Sequence, residues 1–104
     1  MTRVWHWLIL FAAFATTPAA AQTEQAKLAA IDYLGRGKAA FRVGDLAAAT
    51  RDWSEAIRLC RLAGAGDIEA EALTRRGEAY RMFGHLQEAR ADLAAISSAS
   101  PSRY

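Results

Sequence analysis

The sequence predicts an all-α protein in which two tandem helix-turn-helix repeats form a short α-solenoid. The main observation is an internal repeat, because residues 36–53 and 76–93 agree at seven positions when they are aligned with an offset of 40. Such repeats are typical of stacked units, each of which needs its neighbour to bury an apolar face. The second observation is that alanine, the best helix former, is abundant, whereas the alternation of apolar and polar residues that strands require is absent.

Each repeat is expected to contain two helices, because apolar residues recur at helical spacing on either side of a glycine. In copy one, the first helix should run from about Thr23 to Val43, and the apolar stripe of the second begins at Leu46 and ends at Cys60. The residues expected to line the helices of copy two are Ile68, Ala72, Leu73, Tyr80 and Phe83 on the first and Leu86, Ala89, Leu93 and Ile96 on the second. The glycine-containing stretch 61–67 is expected to be the turn between the copies.

The two pairs of glycines in the repeat are predicted to have different structural roles. Gly44 and Gly84 are expected to end the first helix of each copy, because glycine adopts the left-handed conformation at least cost. Asp45 should then cap the following helix, and His85 occupies the matching position as a weaker cap.

The other pair, Gly37 and Gly77, lies inside predicted helices, where glycine costs about 1 kcal/mol relative to alanine. Close approach of the partner helix would offset this cost, and Ala49 and Ala89 would supply the small facing surface. Trp53 is expected to fill the wider end of this helix crossing in copy one.

Residues 1–21 are predicted to be a secretory signal peptide. A single positive charge at Arg3 precedes the apolar run LILFAAFA, and Ala19-x-Ala21 fits the small-residue rule for cleavage. An uncleaved membrane anchor is the alternative, although the apolar run is shorter than the ~20 residues that a bilayer requires. The domain 22–104 would then be periplasmic or secreted, without stable insertion in the membrane. Abundant alanine, more arginine than lysine and no asparagine suggest a bacterial source.

Charge and composition argue against several functions. The formal net charge is +2, which does not provide the strongly basic face expected of a nucleic-acid-binding protein. No cluster of three or four ligands at metal-binding spacing and no glycine-rich phosphate loop is visible, so we expect no metal, no cofactor and no enzymatic activity. Cys60 is the only cysteine and is expected to be buried, with a disulfide to a partner or a second copy as the alternative.

The repeat carries a pattern of glycines, aromatic residues and alanines around each turn. In copy one it consists of Tyr33, Gly37, Gly44-Asp45-Leu46, Ala49, Trp53 and Ala56, and in copy two of Leu73, Gly77, Tyr80, Gly84-His85-Leu86, Ala89 and Pro101. This pattern resembles the tetratricopeptide repeat, in the subclass with a period of about 40 residues. The resemblance covers about residues 26–101, with repeats at about 26–62 and 66–101. Ala40, Leu93 and Ile96 depart from the family pattern.

The resemblance implies a protein–protein interaction module, an adaptor or scaffold whose first helices line a groove for a peptide or helix of another envelope protein. The implied groove residues are Ile31, Leu34, Lys38, Phe41, Arg42, Glu71, Thr74, Arg75, Glu78 and Arg81. Lys38 and Arg75 stand where chaperone-binding members of the family have asparagine, so the carboxylate clamp of those members is not expected. The basic residues of the groove would attract an acidic segment, or they are ordinary solvated helix faces.

Two other interpretations of the chain remain open. Solenoids usually contain three or more repeats and a polar capping helix, and neither is visible after copy two. The sequence is therefore also compatible with an N-terminal fragment of a larger multi-repeat protein that has a separate effector or catalytic domain. Alternatively, the uncapped end of the repeat stacks on a second copy and forms a homodimer.

Overall fold

The computed structural model describes residues 18–99, and these residues form four α-helices. The helices are α1 (Ala19–Arg42), α2 (Leu46–Ala63), α3 (Gly66–Met82) and α4 (Leu86–Ala99). No strand occurs between residues 18 and 99, and the all-α prediction is confirmed. The apolar run of the predicted signal peptide and Pro101 lie outside the described residues, while Ala19 to Ala21 form the first turn of α1.

The helices pack in the order in which they follow one another along the chain. α1 packs against α2, α3 packs against α4, and α3 also packs against α2. Gly44 and Gly84 connect the helices of each pair with φ angles of 81° and 80°, which confirms the predicted turns. The Asp45 carboxylate accepts a hydrogen bond from the backbone N–H of Ala48 at 3.0 Å and so caps α2 as predicted.

The turn between the two copies is shorter than the predicted stretch 61–67. α2 continues to Ala63, Gly64 ends it with a φ of 66°, and α3 already begins at Gly66. Two residues suffice because Gly64 adopts the left-handed conformation and the N–H of Ala65 donates to the Cys60 carbonyl at 3.0 Å. A Cβ at Gly66 would clash with the Ala99 carbonyl oxygen, so glycine lets the start of α3 lie against the end of α4.

Trp53 is the largest fully buried side chain of the core, with 1% of its surface exposed. Its indole Nε1 donates to the Leu34 carbonyl at 3.2 Å, and its ring centroid lies 5.8 Å from that of Phe41. The indole lies directly over Gly37, where an added Cβ would meet Trp53 Cε2 at 2.8 Å. The close approach at Gly37 is therefore confirmed, but Trp53 rather than Ala49 makes it, because the flat indole fits against a backbone that has no Cβ.

In copy two, an ion pair connects the helices instead of a tryptophan. Arg76 donates from Nε to Asp92 Oδ2 at 2.9 Å and from Nη2 to Asp92 Oδ1 at 2.6 Å, while its Nη1 donates to Ser54 Oγ at 3.0 Å. The hydrogen bonds that Arg76 donates to Asp92 raise the pKa of Arg76, although burial opposes the shift. Arg76 on α3 thus binds α4 and α2 together. Gly77 lies beside this pair, and a Cβ there would be 3.3 Å from Asp92 Cβ and 3.6 Å from the Ala89 carbonyl oxygen.

The predicted apolar stripe of α4 is only partly buried. Ala89 is buried and Ile96 packs against the core, but Leu86 and Leu93 remain 53% and 56% exposed. Phe83, which was expected to line α3, is 50% exposed. Leu86 and Leu93 are exposed because α3 covers the corresponding side of α2, whereas no helix of the described part of the chain covers that side of α4. Phe83 is not part of the helix, since α3 ends at Met82.

No helix between residues 18 and 99 combines the length and the apolar character that a membrane span requires.

Candidate interaction surface

The candidate surface is a cleft between the C-terminal half of α1 and the middle of α3. It has a volume of about 230 Å³ and is lined by Lys38, Phe41, Arg42 and Arg75. We call it the basic cleft. All four lining residues belong to the groove that the sequence predicts, and the structure brings them together from two helices.

Helix geometry and core packing explain why these side chains share the cleft. Phe41 and Arg42 lie three and four residues after Lys38 on α1, so both are neighbours of Lys38 on the helix surface. Phe41 is half-buried, and its ring packs against Trp53, which in turn is seated on Gly37. The cleft therefore has an apolar floor that the core holds in place and a rim of cationic side chains.

Glu71 of α3 is the negative charge at this rim. Its Oε2 atom binds Lys38 Nζ at 2.7 Å and Arg75 Nε at 3.1 Å. The hydrogen bond from Lys38 lowers the pKa of Glu71, the bond from Arg75 acts in the same direction, and burial opposes both. The ion pair between Lys38 and Glu71 also joins α1 to α3 across the cleft.

The charges at the rim do not cancel. Lys38, Arg42 and Arg75 contribute three positive charges, and Glu71 contributes one negative charge, so two positive charges are uncompensated. Arg42 is exposed and makes no ion pair with any residue between 18 and 99. Its guanidinium is therefore available to a carboxylate from outside the chain.

The remaining predicted groove residues lie elsewhere. Leu34 is 7% exposed and belongs to the core, so it does not contribute to the surface. Ile31 is 46% exposed, nearer the start of α1. The Thr74 hydroxyl donates to the Ala70 carbonyl at 2.8 Å on its own helix. Glu78 and Arg81 are exposed on α3 but do not line the cleft.

Sequence reasoning missed the bridging role of Glu71. Its spacing of four residues from Arg75 signals a pair on one helix, and this pair is present. The second pair, with Lys38, joins residues on different helices, and no spacing rule within one helix predicts it.

Cys60 does not provide a second site. It is fully buried, and burial raises the pKa of its thiol to about 11, with a smaller contribution from the Glu69 charge. The thiol is therefore protonated at neutral pH, and a thiol rather than a thiolate is a poor nucleophile and metal ligand. Among residues 18–99, no group of three or more His, Cys, Asp or Glu side chains is arranged to hold a metal ion.

Comparisons with protein-family models, with curated proteins and with solved structures found no match to this chain. The internal repeat and the basic cleft are therefore the features that bear on function. Both are properties of named residues, and both can be tested by substitution.

Proposed function

We propose that this chain is a tetratricopeptide-repeat-like adaptor that binds an acidic segment of another protein in the basic cleft. The observation that carries the proposal is the cleft itself, with an apolar floor and two uncompensated positive charges. The repeat supports the architecture, because the two hairpins turn at Gly44 and Gly84, which are equivalent in the repeat. The packing of α3 on α2 as well as on α4 is what a short solenoid of two repeats requires.

The size of the cleft favours a protein segment over a small molecule. Ligand pockets that enclose a small molecule usually measure about 300–1,000 Å³. At about 230 Å³, the basic cleft accommodates one or two side chains of a longer segment. The guanidinium groups of Arg42 and Arg75 present planar sets of donors, which match the two oxygens of a carboxylate. A segment with acidic residues beside an aliphatic residue fits both the rim and the floor.

The site of action that we propose is the bacterial envelope. The charged start, apolar run and Ala19-x-Ala21 sequence of residues 1–21 support export and removal of a signal peptide. In this compartment the domain would act as a non-enzymatic scaffold, periplasmic or secreted. The protonated state of Cys60 fits a binding role rather than covalent catalysis.

Binding of an acidic probe peptide tests the proposal. The probe is a fluorescent peptide of alternating glutamate and leucine, and fluorescence anisotropy measures its dissociation constant. Arg42→Glu should weaken binding by about tenfold or more, because it places a carboxylate where the ligand's carboxylate would bind. Lys27→Glu is the matched control, since Lys27 is also exposed, makes no ion pair within residues 18–99 and lies outside the cleft. Equal losses of affinity in both variants would show that net charge alone causes the effect and would contradict the cleft assignment.

Glu71→Gln provides a second test, because loss of structure would weaken binding of the probe whereas this substitution is expected to strengthen it. This substitution removes the internal carboxylate that occupies Lys38 and Arg75. Binding of the acidic probe should therefore become tighter, whereas Glu78→Gln, on the same helix but outside the cleft, should leave it unchanged. A weaker complex for Glu71→Gln would contradict the proposed binding mode.

A further inference from the structure

α1, the first helix that the structure describes, exposes residues whose counterparts on α3 are buried. Leu28 on α1 is 58% exposed, and Val43, which directly follows α1, is 81% exposed. Forty residues later on α3, Ala72 and Ala79 are completely buried, while Asp32 and Ala39, their equivalents on α1, are exposed. We call the exposed set the α1 face; it consists of Leu28, Asp32, Arg36, Ala39 and Val43.

The opposite end of the chain has a complementary uncovered face on α4. Leu86 and Leu93 are 53% and 56% exposed. Their equivalents on α2 are Leu46, which is half-buried, and Trp53, which is 1% exposed. α3 packs on α2, and Trp53 is also covered by α1, whereas no helix between residues 18 and 99 packs on this side of α4. We call the exposed set the α4 face; it consists of Leu86, Arg90, Leu93 and Ala94.

We propose that a second copy of this chain covers these faces, with α1 of one copy docked on α4 of the other as α3 docks on α2. The packing of α3 on α2 within the chain indicates that a second copy is the partner, because it joins the second helix of one repeat to the first helix of the next. Each copy carries both halves of this interface, and no helix between residues 18 and 99 covers either of them. The contact is therefore heterologous and joins copies head to tail, which gives a ring if it closes and a filament if it does not.

The internal interface also gives the register of the proposed one. Arg76 contacts Ser54 at 3.0 Å and Glu69 contacts Arg61 at 3.2 Å, so α3 runs antiparallel to α2. In the proposed contact, α1 takes the place of α3 and α4 takes the place of α2. Arg36 of one copy then lies opposite Ala94 of the other.

The same register places two apolar residues beside each other. Val43 on the α1 face falls level with position 87, so it lies beside the adjacent Leu86 of the α4 face, and both residues are exposed in the single chain. Leu93 lies one turn beyond Arg90 on the same side of α4 and extends this apolar contact.

The intermolecular contact is weaker than the internal one. Arg76 is tied to both Asp92 and Ser54, whereas Arg36 is paired with Asp32 on its own helix at 2.9 Å. Ala94, which replaces Ser54, has no hydroxyl group to accept a hydrogen bond from Arg36. Apolar contacts therefore carry the association, and it should depend on protein concentration.

A complementation experiment tests head-to-tail assembly. Light scattering measures the mass of the protein expressed from the complete sequence, alone and with substitutions. The mass of the wild type should rise to more than about twice that of one chain as concentration increases. Leu93→Glu, which blocks the α4 face, and Val43→Glu, which blocks the α1 face, should each remain monomeric. Their equimolar mixture should form a dimer, because Leu93→Glu retains the α1 face, Val43→Glu retains the α4 face, and these two faces can still dock.

The control and the contradicting results are equally specific. Leu62→Glu should assemble like the wild type, because Leu62 is 65% exposed but belongs to neither face. Recovery of a dimer in the mixture also shows that both variants are folded. A wild type that stays monomeric at all concentrations, or a mixture that stays monomeric, would overturn the proposal.

Cross-linking tests the register independently. In a Cys60→Ala background, Arg36→Cys and Ala94→Cys variants are mixed and treated with a short bis-maleimide. The expected product is a dimer that joins position 36 to position 94. Glu24→Cys replaces Arg36→Cys in the control, since it lies about 18 Å away along the helix axis. Cross-links only between two copies of position 94 would show a two-fold symmetric dimer instead and contradict the head-to-tail arrangement.

Discussion

Two glycines that are two residues apart on α1 have opposite environments. An added Cβ at Gly35 would meet no atom within 4 Å, whereas at Gly37 it would clash with the indole of Trp53. Both residues are helical, so neither needs the conformational freedom of glycine. Gly37 is thus required by packing alone, and Gly35 only weakens the helix.

This contrast predicts opposite changes in stability. Gly35→Ala should raise the free energy of unfolding by about 0.5–1 kcal/mol, the usual gain for alanine over glycine in a helix. Gly37→Ala should lower it by about 1–3 kcal/mol, because the indole must move out of a packed core. Chemical denaturation followed by circular dichroism measures both values. A stabilising Gly37→Ala would contradict the assigned contact with Trp53.

The sequence could predict that Gly37 is approached closely, but not by which residue. A glycine inside a helix indicates that a Cβ at this position would clash with a neighbour, and the repeat predicted that the neighbour is the partner helix. The rotamer that brings the Trp53 indole over Gly37, with its Nε1 on the Leu34 carbonyl, depends on three-dimensional packing. The same packing buries Leu34, which the resemblance to the repeat family had placed in the groove.

At the scale of the helices, Arg76 is the residue that binds three of them together. It lies on α3, forms two hydrogen bonds with Asp92 on α4 and one with Ser54 on α2. The side chain of Asp92 is only 5% exposed, so its charge depends on Arg76 for compensation. The pair between Asp32 and Arg36 has the same residue types but lies on a single helix with both side chains about 60% exposed.

Removing one charge from each pair should separate their contributions. Asp92→Asn should lower the free energy of unfolding by about 3–5 kcal/mol, because it leaves the guanidinium of Arg76 partly buried without a counter-charge. Asp32→Asn, the matched control, should change it by no more than about 0.5 kcal/mol, as expected for an exposed pair on one helix. Thermal and urea unfolding provide the measurement. Equal effects of the two substitutions would show that the three-helix contact does not stabilise the fold.

The helices themselves were largely predictable, because their ends have local signals. Gly44 and Gly84 mark the turns, Asp45 marks the start of α2, and helical spacing marks the apolar sides. Burial on α4 was not predictable in the same way. The spacing of Leu86 and Leu93 identifies an apolar face, but whether such a face is buried depends on what packs against it.

At the scale of the whole molecule, the basic cleft exists only because the repeat places α1 and α3 side by side. Lys38, Phe41 and Arg42 reach it from copy one, and Arg75 and Glu71 reach it from copy two. Resemblance to a repeat family supplied these positions, since no local pattern joins residues more than 30 apart. The internal ion pairs of Glu71, which set the residual charge of the cleft, required the structure.

The two proposals concern different surfaces of the molecule, so either one can be contradicted while the other stands. Acidic-segment binding uses the basic cleft, whereas head-to-tail assembly uses the α1 face and the α4 face. Leu93→Glu, on α4 and away from the cleft, should therefore block assembly while the variant still binds the acidic probe peptide.

The most direct test of the central claim is to map the binding site of the glutamate–leucine peptide by nuclear magnetic resonance. The protein is labelled with ¹⁵N and its backbone amide shifts are followed during titration. We predict saturable shifts concentrated at residues 38–42 and 71–75, which together border the basic cleft. Shifts spread evenly over the surface, or concentrated on α4, would contradict the claim that this cleft is the binding site.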